Sequence, residues 1–221
     1  VWMTPEGEPF FGGTYFPPDD RPGQPGFPSV IRRVAEEWKS SEIEIRAHGG
    51  KVIDALRSSA APPASEVSED VLNAAYKEFV RNYDPEWGGF GGGGEQFPRA
   101  SVFNFLLRLY ATAPAAPEGK AALEMTRNTL HKMASGGIRD HIGGGFHRYA
   151  VDRAWHVPHF EKMLCDQAQL AVSYCEAWQV TGDPLFLDVA RDTLEYVLRE
   201  LTHPEGGFFS AADAESLVAH G

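Results

Sequence analysis

The tripeptide Gly-Gly-Phe occurs at residues 88–90, 144–146 and 206–208, recurring after 56 and then 62 residues. Each copy follows a segment whose apolar residues are spaced by three and four, the period of a helix that buries one face. These segments are expected over residues 69–83, on a stripe of Leu72, Ala75, Phe79 and Tyr83, and over 101–110, on Val102, Phe105, Leu106 and Leu109. Three more are expected over 119–134, 160–180 and 184–201, the last with Asp183 as N-cap and Pro184 at its first position. Paired glycines accept positive φ, so each copy reads as a tight loop with its phenylalanine as an anchor underneath. A unit of about sixty residues made of helix, loop and helix is a helical hairpin repeated around an axis. Two hairpins and the first helix of a third do not close a ring. The expectation is therefore a fragment, or a barrel left open.

Upstream, residues 1–4 and 9–16 are short and β-prone, and 5–8 supply a turn, which predicts a hairpin. Residues 17–28 hold five prolines and two glycines and read as a loop. Ser29 is placed to cap a helix running to Trp38, and a second helix is expected over 42–57, weakened by Gly49 and Gly50. The SSAAPPAS stretch has linker composition. The domains expected are 1–58, a linker at 59–66, and a helical domain at 67–221.

The formal net charge of −11 argues against a nucleic-acid partner or a polybasic membrane contact. No apolar run reaches the length of a membrane span. Cys165 and Cys175 lie ten residues apart on one expected helix, too far to bridge, and so read as reduced thiols of a cytoplasmic protein. The glycine-rich run 87–98 lacks the GK[ST] ending of a phosphate loop.

Chemistry concentrates in residues 136–169, GGIRDHIGGGFHRYAVDRAWHVPHFEKMLCDQAQ, where four of the eight histidines fall between His141 and His159. Imidazoles beside carboxylates and cations are the raw material of a site that moves protons or binds polar ligands. On a helix from Phe160, Lys162, Asp166 and Gln169 share one polar face, as a helix lining a lumen requires. A solvated face with a Lys162–Asp166 pair is the plainer reading. His156-Val-Pro-His159 is poor metal spacing because Pro158 interrupts any helix there. No metal or cofactor is expected.

FFGGTYFPP at 10–18, the long motif from Gly136 to Leu170, and GGFFSAADAES at 206–216 resemble the thioredoxin-domain-containing family of spermatogenesis-associated, thioredoxin-like proteins. That family pairs a thioredoxin-like domain with an (α/α)6 barrel similar to N-acylglucosamine 2-epimerase and the six-hairpin glycosidases. The resemblance implies a mainly α chain: part of an (α/α)6 barrel preceded by the C-terminal half of a thioredoxin-like α/β domain, whose cysteine-bearing segment would lie upstream of Val1. Cys165 stands where the family pattern has tyrosine. A sugar-like small-molecule ligand is implied, with the oligomeric state open. Epimerisation needs a base and an acid on opposite faces of one carbon, for which His156 and His159 are candidates, with His147 as a third. Arg139, Arg148 and Lys162 are candidates to hold a carboxylate, phosphate or hydroxyl-rich substrate, and Trp155 to stack on a sugar ring. Asp140, Glu161 and Gln169 are further candidate contacts. Glycoside hydrolysis would need two facing carboxyl groups, from Asp140, Glu161, Asp166, Asp213 and Glu215. The alternative is a redox or interaction protein whose helical barrel is a binding module.

Overall fold

The expected hairpin forms from β1 (Trp2–Met3) and β2 (Pro9–Phe11), antiparallel, with Trp2 opposite Phe11. In this computed structural model, which describes residues 1–60, 68, 70–91 and 93–214, it belongs to the first of two units, Val1–Val67 and Ser68–Gly221. Helix α1 (Phe27–Ala60) packs against β2 and breaks at Ser41, so the two helices expected on either side of that point are present. Ser29 does not cap it. The helix starts two residues earlier, and the Ser29 hydroxyl donates to Asp20 Oδ2 instead. Gly49 and Gly50 do not weaken α1 enough to interrupt it. A Cβ at Gly49 would lie 3.0 Å from Glu8 Cβ, so the glycine lets the hairpin come close. The expected linker begins inside this helix, which runs to Ala60, and its remainder, 61–66, lies outside the described residues.

The second unit contains α2 (Asp70–Asn82), α3 (Ala100–Thr112), α4 (Pro117–Ser135), α5 (Leu164–Thr181) and α6 (Pro184–Glu200). Helices α3 and α5 lie side by side, with α4 against α3 and α6 against α5. Their apolar stripes meet in one core that includes Phe103, Leu106, Leu130, Met133, Leu170, Tyr174 and Phe186. Asp183 caps α6 as the sequence implies, accepting from Leu185 N–H at 3.0 Å, with Pro184 following it. Asp183→Ala should cost about 1 kcal/mol, the usual value of a lost N-cap, measurable by urea denaturation.

All six glycines of the repeated tripeptide adopt positive φ, between 70° and 98°. The two longer loops share a wider motif, Asp-x-x-x-Gly-Gly-Phe, at 84–90 and 140–146. Asp84 and Asp140 close their loops alike, each exchanging backbone hydrogen bonds with the glycine pair. Each also accepts two further backbone N–H groups on Oδ1. In the third loop His203 takes this position, with Nδ1 accepting from Glu205 N–H. Phe90 and Phe146 are buried anchors, but Phe208 is 56% exposed, so the anchor expected under every loop exists in two.

Short ladders zip the loops together. β3 (Tyr149–Ala150) pairs with β4 (Pro158–His159), and β5 (Lys162–Met163) with β6 (Ala211–Ala212). Gln96 bridges to Ala150. This corrects the helix expected from Phe160. Arg148 N–H donates to the Glu161 carbonyl, residues 162–163 pair across to the third loop, and α5 begins only at Leu164.

Candidate functional site

With α5 starting at Leu164, Lys162 leaves the helical face on which the periodicity places it. Its side chain is buried, and the ammonium donates to Asp140 Oδ2 and to the Gly144 carbonyl, both at 2.8 Å. It also lies 4.2 Å above the Tyr196 ring. Burial raises the Asp140 pKa, but the Lys162 hydrogen bond, the Gly143 and Ile142 N–H groups and the Lys162 charge outweigh it. They hold this carboxyl well below the usual carboxylate range. Asp140 and Lys162 therefore fasten the second loop and present no free polar end to a ligand.

The expected pair of Lys162 with Asp166 is replaced by one of Arg148 with Asp166. Both Asp166 oxygens lie 2.8 Å from Arg148 Nη1. Arg139 is bound to Asp192 at 3.2 Å. Every cation singled out in the sequence is thus neutralised inside the second unit. A fourth pair, Arg153 with Asp84, fastens the first loop as Lys162 fastens the second.

The histidines separate. His147 is buried with Nδ1 unpartnered among the described residues, edge-on to Phe160. Burial, and then the Lys162 charge, push its pKa below the ordinary histidine value, so it is neutral at pH 7. His159 stacks on Tyr149, its ring 4.9 Å away, and Tyr149 stacks on Phe97 at 4.7 Å. Glu161 Oε2 stands 4.0 Å from His159 Nε2. His156 is exposed, its backbone N–H taken by Asp152, and His141 Nε2 meets the Gly136 carbonyl at 2.9 Å. Trp155 corrects its expectation outright. Its residue is fully buried at positive φ, with Nε1 donating to the Trp87 carbonyl, so it has no face to offer a sugar.

What the structure does bring together is Asp166 and Gln169, neighbours on the first turns of α5, with the start of α3. They line a cavity of about 340 Å³ together with Arg99, Ser101, Val102, Pro98, Phe79 and Leu170. No hydrogen bond within the described residues engages the side-chain polar ends of Arg99, Ser101 or Gln169, whereas Asp166 is held by Arg148. The cavity has an apolar floor and a polar wall. Sequence reading missed Arg99 and Ser101 because no titratable cluster surrounds them. Their signal is the repeat, since they open α3 after the first glycine loop as residues 163–165 open α5 after the second.

The two-carboxylate arrangement loses Asp140, whose oxygens are both occupied. Asp213 is exposed, and Glu215 lies outside the described residues. No group of three or more His, Cys, Asp or Glu poised to hold a metal occurs among the described residues. Nor, among them, is any helix long and apolar enough to cross a membrane.

Residues 1–57 match the family model Thioredox_DsbH, described as a protein of unknown function, DUF255. Over 98% of its length the chain is 44% identical to spermatogenesis-associated protein 20 of Rattus norvegicus and 45% identical to that of Homo sapiens. An uncharacterised protein of Caenorhabditis elegans is 39% identical over all of it. The chain spans 28% of the length of the rat and human relatives. Among solved structures, a sugar epimerase from a ruminal bacterium aligns with 68% of this chain and 42% of its own, at 16% identity and a TM-score of 0.51. Cellobiose 2-epimerase from Bacillus thermoamylovorans aligns with 66% of this chain and 42% of its own, at 16% identity and a TM-score of 0.52. At such identity the likeness is one of fold, that of (α/α)6 barrels. Set beside the repeated loops and the paired helices, these matches make the chain similar over nearly its whole length to part of the spermatogenesis-associated protein 20 relatives, with a helical unit of (α/α)6-barrel type.

Proposed function

We propose that the helical unit handles a sugar-like small molecule in the cavity between the start of α3 and the first turns of α5, with chemistry of the epimerase or isomerase type. The observation that carries this reading is the pairing of free hydrogen-bonding groups on Ser101 and Gln169, and the Asp166 carboxylate, with an apolar floor of Phe79 and Leu170. Sugars need both: donors and acceptors for their hydroxyls, and an apolar surface for the C–H face of the ring. The names of the two epimerase neighbours point to the same ligand class. In this proposal Asp166 accepts from a ligand hydroxyl or takes a proton, and His159 and His156, on the β3–β4 hairpin outside the cavity's lining, are the candidates for its acid/base partners. Arg148 sets the orientation of Asp166, and Glu161 the environment of His159. A reducing, cytoplasmic setting for the free thiols of Cys165 and Cys175 belongs to the same proposal.

Calorimetric titration with a broad panel of mono- and disaccharides, including amino and acidic derivatives, tests it. At least one should bind. Gln169→Ala should weaken that binding about tenfold, the value of one or two lost hydrogen bonds, while leaving the melting temperature unchanged. Asp166→Asn should weaken it at least as much. No binding by any member of the panel would end the reading.

The match of residues 1–57 favours a second reading, in which the helical unit is a binding module of a thioredoxin-like redox or interaction protein. A disulfide-reductase activity in a longer protein carrying this chain, lost on Cys→Ser at a dithiol, would select it if no saccharide bound.

A further inference from the structure

We infer that the ligand of this cavity carries an anionic group, a carboxylate or a phosphate on a sugar-like body, and that Arg99 is the residue that selects it. The inference rests on the sugar-binding reading and narrows it. Its ground is a contrast between cations. Arg139, Arg148 and Lys162, the three with the most conspicuous sequence context, are all spent on carboxylates of the same unit. Arg99 lines the cavity and has no ion pair or hydrogen bond among the described residues. Asp166 is the only carboxylate among the lining residues, and its charge is already offset by Arg148. The cavity is therefore left with one uncompensated positive charge, borne by the side chain best suited to grip a planar carboxylate or a phosphate with two parallel hydrogen bonds.

Two further features agree. No side chain caps α3, and Ala100, Ser101 and Val102, at its positive end, line the same cavity. The chain as a whole carries a formal charge of −11, which repels anions, so a free guanidinium in a cavity acts against the background field. A neutral sugar would leave that guanidinium in water, gaining nothing from it. An anionic sugar gains a charge-assisted contact in addition to the hydroxyl contacts at Gln169 and Ser101.

The test compares glucose, glucuronate, glucose 6-phosphate and inorganic phosphate on the whole chain, on Arg99→Gln and on Arg99→Lys. One of the two anionic sugars should bind about tenfold or more tighter than glucose, and weaken as salt is raised. Which of the two it is separates a carboxylate from a phosphate preference. Arg99→Gln should bring that sugar to the level of glucose measured on the same variant, and Arg99→Lys should recover part of the preference. Glucose binding as tightly as both anionic sugars, or a preference that survives Arg99→Gln, would overturn the assignment to Arg99 while leaving the sugar site standing. Inorganic phosphate binding as tightly as glucose 6-phosphate would also overturn it, by showing an anion site without a sugar site. If nothing binds, both readings fall.

Discussion

Gly145→Ala is expected to destabilise the helical unit by about 3 kcal/mol or more, lowering its melting temperature by roughly 6–15 °C. Gly145 has φ +74°, which already strains any residue with a Cβ. The larger cost is packing. A Cβ there would lie 2.8 Å from Gln167 Oε1 and 2.8 Å from Tyr196 Cδ1. Neither can retreat without loss. Gln167 Oε1 accepts from Phe146 N–H and its Nε2 donates to the Phe146 carbonyl, so this buried amide clamps the loop's backbone from both sides. Tyr196 supports the Lys162 ammonium. Gly207 is the matched control. Its φ is +82°, but nothing lies within 4 Å of its added Cβ, so alanine there should cost only the backbone term, roughly 1–2 kcal/mol. Thermal melts of the two variants decide the matter. Equal losses would mean that the second loop is not clamped between α5 and α6.

The contrast between those glycines marks how far the sequence could be read. Repeat phase, helix positions and backbone turns follow from local rules: spacing by three and four, and a glycine pair that accepts positive φ. The Asp183-Pro184 start of α6 is legible for the same reason, since a cap acts within three residues. What local rules miss is pairing between loops. Periodicity continues α5 back through Lys162, but the backbone groups of 161–163 are taken by Arg148 and the third loop, so the chain stays extended there. That one change moves Lys162 from a lumen-facing ladder to an anchor, and leaves Asp166 to Arg148. Trp155 shows the same limit. Its aromatic character is plain in the sequence, but its burial against Gly89 depends on the first loop lying beside the second. Charge partners 22 and 69 residues apart, Lys162 with Asp140 and Arg153 with Asp84, cannot be chosen from spacing among the chain's 31 acidic residues. Density of titratable groups therefore marked a loop whose charges are spent on fastening it. The groups left free for a ligand, Arg99, Ser101 and Gln169, lie mostly outside that cluster.

Lys162→Met is the direct test of this anchor, and its signature lies in acid. Methionine keeps most of the apolar stem but removes the ammonium, leaving Asp140 Oδ2 and the Gly144 carbonyl without their donor. The Lys162 side chain is 9% exposed and that of Asp140 27%. Breaking a pair this sheltered should cost about 2–4 kcal/mol near pH 7, somewhat less than for a fully buried one. The folded-state pKa of Asp140 lies well below its unfolded value, so its ionised form contributes stability that is fully present above about pH 4. That contribution is lost as pH falls from there toward the folded value, because the unfolded chain takes up the proton first. Removing Lys162 takes away the hydrogen bond and the charge that depress the pKa. The original chain should then lose stability steeply below pH 4, and Lys162→Met much less steeply, so the two denaturation midpoints converge in acid. Urea titrations at pH 7, 5, 4 and 3 measure it. A gap between the two proteins that stays constant from pH 7 to pH 3 would show that Lys162 acts by packing on Tyr196 and not through the Asp140 carboxylate.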